Sequence, residues 1–271
     1  MPGSPVKPEE EFECRGFLAD AVAGATQHLR AENAGWFELA EALNLSLMAV
    51  IMRGMGSARR GNWDADAVGV RILLRVSGML QGVVLLAERG MIAEARTLTR
   101  SAVESVLHVG ALHEQGAAYI EMLKADSEAS RKRQGKFILA EGLLTDGDPR
   151  NKLEAAITEI ESAKPINLKD VASLSPFAKE YLAYQRLSDD AAHLTGKSLN
   201  RYIRVAGDRS GWSYAIGQGE PAEIAATLHH VVRAGLAVGV AVTSLLKDQA
   251  GNAELAALSE RYGKMPEVPP V

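Results

Sequence analysis

The sequence predicts an all-α protein, a multi-helix bundle, on three observations. Hydrophobic residues make up 47% of the chain while aromatics make up only 5%. The core must therefore be built from Ala, Leu, Val, Ile and Met, and all of these but the β-branched ones lose little freedom in a helix. Apolar residues recur at helical intervals from end to end, and nothing resembles a run of strands. Cap and breaker residues cut this pattern into about eight or nine helices. The expected organisation is one helical domain over residues 9–263, between a disordered tail (1–8) and a frayed Pro-rich tail (264–271).

Pro8 is a good first helical residue, and Phe12, Leu18, Val22, Ala25 and Leu29 then follow at helical spacing, predicting one helix over Glu9 to Glu32. Asn33 can cap a second helix through Trp36, Leu43, Leu47 and Ile51 that stops in the Gly-rich, basic stretch Gly54 to Gly61. Asp64 caps a third, which Gly90 ends, and a fourth runs from Met91 to Gln115. A polar helix with Arg131, Lys132, Arg133 and Lys136 follows between Gly116 and Gly142, its charge run expected to be a solvated face. Thr145 to Gly147 is a loop, after which Asp148 caps a helix opening on Pro149.

A connector with a short helix leads to Pro176, which opens a helix through Tyr181, Tyr184, Leu187 and Ala191 that Gly196 closes or bends. Gly207 to Gly219 is loop-like, with Trp212 and Tyr214 as anchors. Pro221 starts a long apolar helix to Lys247, and a short helix covers Asn252 to Tyr262.

A formal charge of -4 argues against non-specific coating of DNA, which needs a basic footprint. Cys14 is the only cysteine, so no intramolecular disulfide and no Cys-rich zinc site can form, and a reducing, cytoplasmic setting fits. The N-terminus lacks the layout of a secretory signal. The longest nearly unbroken apolar stretch, Ala234 to Leu246, is too short to span a bilayer, so no membrane helix is expected. No Glu-x-x-His step, phosphate loop, dinucleotide fingerprint or nucleophile elbow occurs, so neither a metal nor a cofactor is expected.

Two constellations could carry chemistry. On the fourth helix Arg96, Arg100, Glu104 and His108 recur every four residues and form a drifting polar stripe, either ion pairs at a surface or helix interface or the wall of a pocket. Farther on, Arg186 and His193 lie seven apart, close to two helical turns, with Asp189 and Asp190 between them; Tyr184, Leu187, Ala191 and Leu194 form the opposite, apolar side. A His can move a proton near neutral pH while an Arg stabilises phosphate charge, the requirement of metal-independent RNA cleavage. The simpler alternative pairs Arg186 with Asp190 and leaves His193 as an ordinary histidine.

Two stretches resemble a mainly bacterial family of unknown function, number 5677: ERGMIAEARTLTRSAVESVLHVGAL, through Gly90, Ala95, Arg100 and Glu104, and YQRLSDDAAHLTGKSLNRYI, through Tyr184, Ser188 and His193. The family-like core spans about 64–204. This group is similar in outline to the HEPN helical superfamily, and that resemblance implies a metal-independent ribonuclease of a toxin or defence system, assembled as a homodimer acting on RNA. His193 would be the general acid/base and Arg186 the phosphate stabiliser, with Arg100 and Glu104 orienting them. Leu187 departs from the pattern, since active members carry a polar residue after the Arg.

The alternative is a catalytically silent scaffold or partner-binding protein in which Arg100, Glu104, Tyr184, Ser188, Asp190 and His108 form a structural polar network. A third reading is a small-ligand sensor built on the loop around Trp212 and Tyr214.

Overall fold

The computed structural model describes residues 8–268 apart from 21, 58–60, 145–146, 161–163 and 208–209. Residues 1–7 and 269–271 of the expected terminal tails, the Arg59–Arg60 part of the basic stretch and the Thr145 part of the loop lie outside these residues.

The fold is all-α, in more pieces than the periodicity predicts. The expected first helix is broken into α1 (Pro8–Arg15), a 3-10 turn (Gly16–Leu18), α2 (Val22–Ala25) and α3 (Gln27–Glu32). Gly16, at φ +55°, interrupts the ladder, and Leu18 is left exposed. Asn33 sits at the next junction, but its side chain turns back to donate to the Leu29 carbonyl (2.9 Å) instead of capping forward.

Four long helices then build the core: α4 (Ala34–Ser57), α5 (Ala65–Glu88), α6 (Ile92–Gln115) and, from the far end of the chain, α12 (Pro221–Leu246). α4, α5 and α6 stand in a row, and α12 packs against all three. It buries Ile224, Leu228, Val231, Val232, Val238 and Val242 in a cluster with Leu43, Leu47, Leu73, Leu80 and Val106. Each such side chain contributes about 1.5–3 kcal/mol of transfer free energy.

Close approach explains why α4 does not stop at Gly54. A Cβ there would lie 2.7 Å from Val70 and 2.9 Å from Leu246, so this glycine brings α4 against α5 and α12. Gly239 does the same for α12, where a Cβ would meet Leu47 at 2.8 Å and Leu255 of α13 (Gln249–Tyr262) at 2.9 Å.

By length and composition α4, α5 and α12 are each apolar enough to cross a bilayer. A criterion of unbroken apolar runs does not register this, because scattered Gly, Ser and single charges interrupt the runs while leaving mean hydropathy high.

The remaining elements surround this core. α7 (Ala117–Ala140) packs on α8 (Asp148–Glu159), whose N-cap is Gly147 rather than Asp148. α9 (Leu168–Leu174) lies on α6, and α10 (Glu180–Leu187) begins four residues after Pro176. A π-helix (Ser188–Ala192) continues α10, and Gly196 opens α11 (Gly196–Leu199) instead of closing the preceding helix. The stretch expected as a loop contributes the second strand of a small hairpin, in which β1 (Ile203–Val205) runs antiparallel to β2 (Trp212–Tyr214), with Val205 opposite Trp212.

Candidate functional site

The polar stripe of α6 faces α10 and the π-helix. Arg100 spans the gap: its Nε donates to the Ser188 hydroxyl (3.2 Å), one terminal nitrogen to Glu104 (2.8 Å) and the other to the Tyr184 hydroxyl. The guanidinium also lies 4.4 Å from the Tyr184 ring centroid, a cation–π contact. Ser188 in turn donates to the Tyr184 carbonyl (2.8 Å). These residues join two helices with each of the three guanidinium nitrogens of Arg100 engaged.

Farther down the stripe, His108 Nδ1 shares a hydrogen bond with the hydroxyl of fully buried Tyr119 (2.5 Å), and its Nε2 is 3.9 Å from Glu104. Burial lowers the His108 pKa and raises that of Tyr119, so both stay neutral at pH 7.

One turn toward the N-terminus of α6 lies a buried ionic cluster. Arg96 pairs with Asp190 on the π-helix, reaches Glu223 of α12 (3.4 Å) and donates to Thr227 (3.3 Å). Arg201 closes the square, 3.2 Å from Asp190 and 2.8 Å from Glu223. The side chains of Arg96, Asp190 and Arg201 are each at least nine-tenths buried, so these charges persist only because they compensate one another.

The cluster forms the floor of a cleft of about 590 Å³ between α11, the hairpin and the start of α12. Lys197, Asn200 and Arg204 rise on one side, and Tyr214, Gln218 and Glu220 on the other. Lys197 lies 3.8 Å from Asp190. The wall thus carries both signs of charge beside an aromatic ring, and no histidine lines it. Such a surface can bind a small polar molecule.

Arg186 and His193 lie outside this cleft. Both are exposed, and among the described residues neither side chain has a hydrogen bond or ion pair. The two-turn spacing argument does not apply to them, because α10 ends at Leu187 and His193 is extended (φ -116°, ψ 148°) beyond a wider π turn. Leu194, expected to pack inward, is 86% exposed for the same reason. Asp190 pairs with Arg96 and Arg201, not with Arg186, and neither Arg100 nor Glu104 touches His193 or Arg186.

Trp212 and Tyr214 stack edge to face at 5.0 Å but are largely exposed, so they do not anchor the segment. Among the described residues no group of three His, Cys, Asp or Glu side chains could hold a metal ion.

Arg201 and Glu223 were not singled out from the sequence. Glu223 reads as an ordinary first-turn acid. Nothing local signals that it meets Arg96, which lies 127 positions earlier.

The curated proteins and the solved structures contain no match to this chain. One family model does match, over residues 66–210, which is more than half of the chain and runs from α5 to the hairpin. It therefore includes Arg96, Arg100, Glu104, Tyr184, Ser188, Asp190 and Arg201, the residues that tie α6 to the α10 segment, and the chain belongs to the family of unknown function DUF5677.

Proposed function

We propose that this chain is a non-catalytic helical binding protein whose polar network holds the α10 to hairpin segment against the core and whose cleft takes a small polar ligand bearing both a basic and an acidic group. The carrying observation is the ionic cluster at the cleft: Asp190, Arg201 and Glu223 line it and are tied to one another and to Arg96, which does not line it, so they shape and polarise the site. Lys197, Arg204 and Glu220 line the cleft and present both signs of charge to a ligand.

The test is thermal denaturation of wild type and an Arg204→Ala/Glu220→Ala variant against a panel of amino acids, nucleotides and polyamines. At a concentration of 100 Kd a one-site ligand adds about 2.7 kcal/mol of stability. A shift in wild type that the variant loses supports the reading; no shift with any compound counts against it.

A second reading, a metal-independent ribonuclease, is favoured by the exposure of Arg186 and His193 and by their freedom from partners among the described residues. It requires RNA cleavage by wild type that His193→Ala and Arg186→Ala each abolish. Equal activity in all three, or none in wild type, removes it.

A further inference from the structure

The side of α4 and α5 that faces away from α12 is apolar and uncovered. On α4 the outward residues are Glu41, Leu45, Met48, Met52 and Met55, and on α5 they are Arg71, Leu74, Gly78, Gln81 and Leu85. Both series step by alternating threes and fours, the spacing of a coiled-coil seam. Leu45 is 72% exposed, Met52 64% and Leu85 63%. Monomeric proteins rarely expose such a continuous apolar surface.

Three observations identify what covers it. The first is shape. Near the start of α4, Leu45, Val84, Leu85 and Ala40 line an apolar groove of about 440 Å³, while the projecting Met52, Met55 and Leu74 stand at the other end. The helices run antiparallel, with Gln81 donating to Asn44 (2.9 Å) and Val70 beside Gly54, so these two ends belong to one continuous face.

The second is charge. The only ionised residues on the two seams are Glu41 at the groove end and Arg71 at the methionine end. Glu41 shares Arg30 with Glu88, and Arg89 lies beyond the seam at the C-cap of α5. The third is Gly78, mid-helix and mid-face, where a Cβ would meet nothing within 4 Å. Nothing in its own chain explains a residue so unfavourable inside a helix.

We propose that this face docks on a second copy of the same chain. A two-fold axis lying in the face and crossing the helices reverses its ends. Each copy's methionines then enter the other's groove, Glu41 and the opposing copy's Arg71 come to the same end of the interface on neighbouring helices, twice, and the two Gly78 positions meet near the axis, where the absence of side chains permits close helix approach. Two adjacent helices about 36 Å long offer roughly 700 Å² per copy, or about 1,400 Å² for the pair, within the range of specific interfaces.

Sedimentation equilibrium of the full chain tests this. Wild type is expected at twice the 29.0 kDa chain mass. Met52→Glu/Leu85→Glu and, independently, Gly78→Arg are expected at the single mass with unchanged far-UV circular dichroism. Glu41→Arg or Arg71→Glu alone should weaken self-association by about tenfold or more, and the double reversal should restore it, because like charges then become opposite again. A single mass for wild type at all concentrations overturns the proposal, as does a dimer that survives both interface variants. Flotation of monomeric wild type with phosphatidylcholine vesicles would overturn it in favour of a lipid-covered face.

Discussion

Helix α6 has two buried faces of opposite character. One presents Val103, Val106, Leu107 and Val109 to the apolar clusters; the other presents Arg96, Arg100 and Glu104 to α10 and the π-helix, continuing to His108 against Tyr119 of α7. The apolar face is held by many weak, non-directional contacts, so its strength grades with area. The polar face is held by a few directional ones whose members cannot be removed singly without leaving a charge unpaired. The first face supplies stability in bulk, and the second decides how the α10 segment, and with it the cleft, is seated.

The largest expected effect breaks the polar face. Asp190→Ala leaves two buried arginines, Arg96 and Arg201, sharing Glu223 alone and should cost about 3–5 kcal/mol in chemical denaturation. A smaller loss than for an apolar truncation would show that water already reaches these guanidinium groups.

Leu107→Ala, on the other face, should cost about 2–5 kcal/mol, toward the lower end wherever the cluster around Tyr119 can close on the cavity. Unlike Asp190→Ala it should leave ligand effects at the cleft unchanged.

Acidification tests the molecule in another way. Burial holds His230 down to about 3 and His229 down to about 4, with Arg233 adding to both. In the unfolded chain both titrate near 6.5, so the unfolded state binds more protons and stability falls as pH drops below about 6.5. Between pH 7 and 5 the loss should reach at most about 2 kcal/mol per histidine. Ordinary carboxylates remain ionised in that window, so the loss should shrink in His230→Asn, and His108 of the polar stripe, whose pKa burial also lowers, should add to it.

The smallest effect sharpens the role of Arg100. Tyr184→Phe removes one acceptor and keeps the ring beneath the guanidinium, and it should cost about 1 kcal/mol. A larger loss would mean that Arg100, Glu104, Tyr184 and Ser188 act as a cooperative unit.

Much of this molecule was legible in the chain itself. The boundaries of α5 and α6, the start of α12 at Pro221 and the end of α5 at Gly90 are legible from local turn and breaker residues, although the Asp64 side chain makes no capping hydrogen bond. The polar stripe of α6 was legible too, since fourfold spacing places side chains on one face wherever the helix goes. Pairing was not. Whether Arg100 would meet Tyr184 and Ser188, or Asp190 would meet Arg96 and Arg201 rather than Arg186, depends on which surfaces the fold brings together.

The break of the α10 helix into a π turn also lay beyond local pattern. It coincides with burial of Asp190 among charges from three distant segments, and it sends His193 and Leu194 outward. Sequence alone determined that this protein is built of long apolar helices, because propensity and periodicity act over a few residues. Only the tertiary structure decided which polar groups are sealed and which line the cleft, because desolvation and charge compensation are set by neighbours far away in the chain.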